Sequence, residues 1–235
     1  MCIIISQAIL FVFAFCRTEI IVPDRRTAMR LMNKELLLDQ CPVLWHKELT
    51  EDVLLEDFDV RGGEWRVENG WLYGENRGNF PGMVISRQDF FGNVLLEFTA
   101  STVLPCTHDI NAMWNGSWNE QTNTRDVAYV GGLEGWWHGK VGFEKSPDYK
   151  LNAANPLFHF VPGQEYFVQM GSIEGHAFIL IDGALVLEVT DPDPIDNTKY
   201  GKFGFKTYCA RLRFRDICLR RAVWKPIEDH YDPEF

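Results

Sequence analysis

The sequence predicts an all-β domain, a two-sheet antiparallel jelly-roll sandwich. Three observations predict it. Short extended runs rich in Val, Ile, Phe, Tyr and Trp recur from about Trp45 onward. Turn dipeptides, Asn69-Gly70 and Asp182-Gly183, separate paired runs. No long segment has apolar residues at the 3.6-residue helical period. Many short strands joined by Gly, Asn and Asp turns close into a sandwich or barrel.

The elements follow in order. WRVENGWLYGEN (65–76) reads as a hairpin about Asn69-Gly70. VLLEFTAS (94–101) alternates and is rich in β-formers, and HDINAMWNG (108–116) reads as a strand ending in a turn. EYFVQMGSIEG (165–175) leads into HAFILIDGALVLEVTD (176–191), a hairpin about Asp182-Gly183. KYGKFGFKTY (199–208) and RLRFRDICLRR (211–221) are the closing strands, with Leu212 and Phe214 on one face and the arginines on the other. Only LMNKELLLDQ (31–40) has the pattern of a short helix.

The expected boundaries are a leader over 1–31, a sandwich over 32–222 and a loosely wrapped acidic tail over 223–235. Residues 2–16 are uncharged and apolar but shorter than the ~20 residues a spanning helix needs. No Lys or Arg precedes them, as a secretory signal would require. A start at Met32 and a cytoplasmic domain is the reading preferred here; a true signal, and hence secretion, is the alternative.

At 235 residues the chain suits one large β domain, and 46% hydrophobic with 14% aromatic residues is a globular composition. A net charge of −10 argues against nucleic acid and against anionic membrane surfaces as partners. Four cysteines lie beyond the leader, Cys41, Cys106, Cys209 and Cys218, with no CxxC pair. They read as thiols, and a Cys209–Cys218 bridge stays open.

GHAFILIDGALVLEVTD, the acidic loop DPDPIDN, GKFGF and RFRDICLRR follow one another in an order that resembles the C-terminal half of concanavalin A-like and laminin G-like sandwiches, proposed 3-keto-disaccharide hydrolases included. GGEWRVENGWLYGE resembles the opening of the same domains. EKSPDYKLNAANPL (144–157) and GKFGF (201–205) resemble the YesU-like family of uncharacterised bacterial proteins, over roughly residues 45–222. That resemblance implies saccharide chemistry, and it alone draws Lys145 and Tyr149 into consideration. The Glu-x-Asp-x-(x)-Glu strand of the related β-glucanases is missing, as are the Arg-x-Glu-x-Arg and Gln-Ile-His signatures of jelly-roll alginate lyases.

Residues 106–150 hold Trp114, Trp118, Trp136 and Trp137 with His108 and His138, a composition suited to a saccharide groove. Alternation along HDINAMW points Ile110 and Ala112 inward, and Asp109, Asn111 and Met113 outward. LEGWWHGK (133–140), read as a strand, places Glu134, Trp136, His138 and Lys140 on one face. Glu134, His138 and Asp109 are therefore the expected acid–base groups. Asn111, Trp136, Trp114, Arg87, Lys145, Tyr149 and Lys206 are the expected substrate contacts. For Trp114 and His108 a packing role is the reading the residue types favour, and Arg125 and Asp126 read as a solvated loop. The same donors could hold a divalent cation, although no HxH or HExxH spacing supports one. DPDPIDN reads as a solvated loop without calcium-loop spacing. The expected activity is glycosidic cleavage of a small saccharide by hydrolysis or β-elimination. A non-catalytic saccharide-binding sandwich is the alternative.

Overall fold

The computed structural model describes residues 27–78, 80–135 and 140–228. It is an antiparallel sandwich of two large sheets. In one, seven strands run in the order β14 (Asn152–Asn155), β13 (Val141–Ser146), β12 (Ala128–Leu133), β9 (Ile110–Gly116), β18 (Lys202–Thr207), β7 (Gly82–Ser86) and β4 (Phe58–Val60). The facing sheet has eight. Its path is β17 (Ala184–Thr190), β16 (His176–Ile181), β15 (Tyr166–Ile173), β8 (Val94–Thr102), β19 (Ala210–Arg221), β6 (Trp71–Asn76) and β5 (Glu64–Glu68), with β3 (Val43–His46) also paired to β19.

Strand alternation builds the core. Leu96, Phe98, Val168, Ile179, Leu212 and Phe214 face inward from the eight-stranded sheet, and Ile110, Ala112, Phe143, Phe203 and Phe205 from the seven-stranded one. Phe205 and Phe214 meet across the sheets with ring centroids 4.3 Å apart. The two turns singled out in the sequence close their hairpins with residues that tolerate the left-handed region: Asn69 and Gly70 at φ 52° and 74°, Asp182 and Gly183 at φ 50° and 78°.

The structure corrects the sequence reading at both ends. Residues 31–40 do not form a helix. β1 (Met29–Leu31) and β2 (Lys34–Leu36) form a hairpin turning at Met32, followed by a 3₁₀ turn over Leu38–Gln40. Here two-residue alternation overrides the helix-forming composition, because it buries both Leu31 and Leu36. β20 (Trp224–Pro226) pairs with β2, so this small sheet joins the two ends of the described chain. It covers Leu95, Ile173, Phe178 and Leu180 on the outer face of the eight-stranded sheet. The fold thus includes residues on both sides of the expected boundaries at 32 and 222. The one α-helix among the described residues, α1 (Glu51–Asp57), was not foreseen; Thr50 caps it by accepting from the Val53 amide at 3.1 Å. β10 (Trp118–Asn119) and β11 (Thr124–Arg125) make a further small hairpin. Cys41, Cys106, Cys209 and Cys218 are free thiols, so the Cys209–Cys218 bridge is not formed.

Candidate functional site

The seven-stranded sheet presents its outer face in rows fixed by register. Inward Phe205 and Ala112 force outward Lys206 and Asn111, which are partners on adjacent strands. Asn111 partners Gly132, Gly132 partners Gly142, and Gly142 partners Ala154. On the other side Lys206 partners Met83. The row therefore reads Met83, Lys206, Asn111, Gly132, Gly142, Ala154. Two adjacent glycines leave the middle of this row without side chains. A Cβ on Gly132 would lie 1.8 Å from Asn111 Oδ1, so that glycine is what lets Asn111 lie where it does.

Asp109 organises the row. It precedes β9 with φ 81°, an uncommon conformation for a non-glycine residue. Its amide donates to the Glu134 carbonyl at 3.0 Å. Its Oδ1 accepts from Asn111 Nδ2 at 2.6 Å, and its Oδ2 accepts from the Tyr208 amide at 2.5 Å. A carboxylate only accepts, so it draws the NH₂ end of Asn111 inward and leaves Oδ1 pointing away. That Oδ1 is buried and has no hydrogen-bond partner among the described residues. Burial pushes the Asp109 carboxyl up to about 6, with Lys206 and the two hydrogen bonds opposing.

Lys206 is half-buried and makes no hydrogen bond or ion pair among the described residues. Burial lowers its pKa, Asp109 and Glu144 oppose that, and the Arg125 cation adds to it. Arg125 donates to Glu144 Oε1 and Ser146 Oγ, both at 2.6 Å. Glu144 is 1% exposed, so this is a buried ion pair.

The next row carries Ile85, Met113 and Val130, followed by Glu144, and Met83 and Ala128 complete the apolar cluster. Trp118 of the β10–β11 hairpin packs on it. The hairpin is tethered by a two-pronged Arg61–Glu120 pair at 2.9 and 2.5 Å, with the Arg61 guanidinium 5.5 Å from the Trp118 ring. The hairpin thus covers the apolar cluster beside the polar row, in which Met83, Asn111, Gly132 and Gly142 are buried.

Of the expected site residues, the structure brings together Asp109, Asn111 and Lys206, with the Glu134 backbone beside Asp109. The expected strand over 133–140 does not continue β12: β12 ends at Leu133, Glu134 turns at φ 51°, and its amide donates to the Lys140 carbonyl at 3.1 Å, residues 136–139 lying outside the described residues. A chain reversal is needed there, because β12 and β13 are antiparallel neighbours. Trp136 and His138 lie outside the described residues. Trp114 is not a surface platform. It is fully buried between the sheets, donating to Ser172 Oγ at 3.0 Å. Lys145 faces the interior side beside Tyr129 and pairs with buried Asp191 at 2.8 Å. Tyr149 is in the exposed turn at the far end of β13 from Lys140. Arg87 pairs with Asp59 at 3.1 Å and donates to the Phe58 carbonyl, beside β4. Arg125, read as part of a solvated loop, is instead held in the buried pair with Glu144; Trp118 was counted among the groove aromatics without a role; Glu144 was missed, although its alternation against Phe143 was the available signal. Among the described residues no group of three or more His, Cys, Asp or Glu could hold a metal ion. None of their helices is long and apolar enough to cross a membrane.

No protein-family model and no curated protein matches the chain. Solved structures do match in fold. A carbohydrate-binding module of the CBM66 class from Bacillus subtilis superposes with a TM-score of 0.56 at 14% identity, over 70% of this chain and 95% of that one. A protein of unknown function with a galectin-like fold, also from Bacillus subtilis, gives 0.59 at 15% identity, over 77% and 97%. The carbohydrate recognition domain of Emp46p gives 0.53 at 11% identity, over 75% and 94%. The chain has the galectin-like, concanavalin A-like sandwich fold.

Proposed function

We propose that this protein binds a saccharide in a trough along the polar row on the outer face of the seven-stranded sheet. One observation carries the reading: Asn111 and Lys206 are register partners on adjacent strands, and among the described residues neither Asn111 Oδ1 nor the Lys206 amine has a hydrogen-bond partner. A buried acceptor without a donor costs about 1–3 kcal/mol. A hydroxyl resolves both at once, donating to Asn111 Oδ1 and accepting from Lys206 Nζ. Trp118, packed beside the row, is the aromatic ring whose face could stack on the apolar face of a sugar. The sandwich neighbours named for carbohydrate binding support the reading, as does the YesU-like resemblance of 144–157.

Binding is better supported than cleavage. Both oxygens of Asp109 are already engaged, and Glu144 is neutralised by Arg125, so neither carboxyl is free to serve a substrate. Cleavage is favoured by one observation, an Asp109 carboxyl that titrates at about 6 close to an amine.

A glycan array finds the ligand, and calorimetry with that ligand tests the site. Asn111→Ala and Lys206→Met should each weaken binding about tenfold or more, in line with the loss of a buried hydrogen bond. Unchanged affinity in both variants overturns the trough as the site. Mass spectrometry of the bound glycan after long incubation separates the two readings. Intact glycan leaves binding, and a shortened product from the wild type but not from Asp109→Asn establishes cleavage.

A further inference from the structure

The β10–β11 hairpin lies as a strap across the outer face of the seven-stranded sheet. Register sets the row beneath it: Asp59, Ile85, Gly204, Met113, Val130 and Glu144. Among the described residues β10 and β11 pair only with each other. Side chains pin the strap at both ends of the row. At the Glu144 end the pin is buried, with Arg125 10% and Glu144 1% exposed. At the Asp59 end it is open to water: Glu120, held by Arg61, is 67% exposed. Exposed ion pairs are weak, whereas breaking a buried pair strands a charge. Releasing Glu120 strands nothing, because Glu120 meets water and Arg61 keeps Asp59 at 3.5 Å. The Glu120 end is therefore the end that lifts.

What the strap hides is apolar. Met83, Ile85, Met113 and Val130 face away from the core, yet none is more than 2% exposed. Two of the four are methionines, whose unbranched thioethers adapt to irregular shapes. Asn111 and Met113 both point outward from β9, so the apolar cluster borders the polar row. Trp118 packs on the cluster, and the Arg61 guanidinium stands over its ring. The closed strap thus holds both the cluster and the indole face away from a ligand.

We propose that this hairpin is a latched lid, and that release of Arg61–Glu120 lifts Trp118 and opens the cluster to the apolar aglycone of a glycoside whose hydroxyls meet Asn111 and Lys206. The proposal rests on the polar row being a saccharide site, and it names the ligand class: a sugar carrying an apolar group. The aglycone binds only the open form, and that differential affinity is what holds the lid open. Its burial replaces the cover that Trp118 withdraws.

The test uses the full chain and Glu120→Gln, which removes the charge and keeps the shape. Amides of 118–124 should exchange hydrogen several-fold faster in the variant, with β13 and β15 unchanged. Added salt should speed that exchange in the wild type but not in Glu120→Gln, because screening acts on the ion pair. The dye anilinonaphthalene sulfonate, which fluoresces on apolar surface, should bind the variant several-fold more. Octyl glycosides of the array-identified glycan, below their micelle concentration, should bind about tenfold more tightly than its methyl glycoside. Glu120→Gln should widen that gap. Exchange at the wild-type rate in Glu120→Gln, or fast exchange without dye uptake, overturns the lid. Equal affinity for methyl and octyl glycosides overturns the aglycone site and leaves saccharide binding standing. Fast exchange and dye uptake in a protein that binds no glycan uphold the lid and overturn saccharide binding.

Discussion

Asp109→Asn isolates the most perturbed carboxyl of the trough. In the fold this carboxyl moves from 3.8 to about 6, chiefly through burial. A displacement of that size separates the two protonation states by about 3 kcal/mol. The sign follows from which form the fold prefers. The fold favours the neutral acid, while the unfolded chain ionises from 3.8 upward. Between those values the folded state holds the extra proton, so stability is lost as pH rises through the window and levels off above about 6. The substituted amide does not titrate. It does present one NH₂ where the carboxylate offered two acceptors, which costs a pH-independent amount at Asn111 or Tyr208. Urea unfolding at pH 4 to 8 separates the two effects. The difference in unfolding free energy, variant minus wild type, should rise by most of about 3 kcal/mol between pH 4 and 7 and then remain flat. A difference that is constant across this range refutes the burial argument.

Three other perturbations follow from the packing. Arg125→Ala leaves Glu144 charged and buried, so a loss of about 3–5 kcal/mol is expected in chemical unfolding, and adding Glu144→Gln should recover much of it. Trp114→Ala should cost about 3–5 kcal/mol through the cavity it leaves between the sheets. Leu31→Ala should cost about 2–5 kcal/mol, measured the same way, because Leu31 is fully buried under the small sheet; a negligible change would show that the β1–β2 hairpin adds nothing to the domain.

Much of the fold was legible because strands announce themselves locally. Alternation in RLRFR and HDINAMW gave the correct inward faces, and two turn dipeptides gave two hairpins. The errors arise where partners are distant. Nothing in LMNKELLLDQ tells that it meets Trp224 from the other end of the chain, yet that pairing makes the segment a hairpin. The site was half legible for the same reason. Asn111 and Asp109 sit on the strand where alternation was read, and Lys206 next to a Gly-rich strand was noticed. Which strand lies beside which is a property of sheet order, and β9 adjoins β18 across roughly ninety residues of sequence. Lys145 was misplaced by the same gap, since its partner Asp191 lies on the loop after β17. The glycines at 132 and 142 carry meaning only once register places them side by side.

The orientation of one amide links the trough to pH. Ionised Asp109 can only accept, and so it holds Asn111 with Nδ2 inward and Oδ1 toward the trough. Once protonated, the carboxyl can donate to Asn111 Oδ1, which weakens the bias on the amide while the Asp109 carbonyl, 3.3 Å from Nδ2, still accepts from it. The Asp109→Asn variant keeps one acceptor for the two donors Asn111 Nδ2 and the Tyr208 amide, so where its NH₂ faces Asn111 it does the same at every pH. The affinity of the wild type for the array-identified glycan should therefore fall as pH drops through about 6. Asp109→Asn should bind weakly at both pH 5 and pH 7.5, without that slope. Lys206 cannot mimic this pattern, because it gains charge as pH falls and so donates more readily to a hydroxyl. Calorimetry of the two proteins at the two pH values decides the point: an Asp109→Asn variant that binds as tightly as wild type at pH 7.5 shows that Asn111 keeps its orientation without the carboxylate.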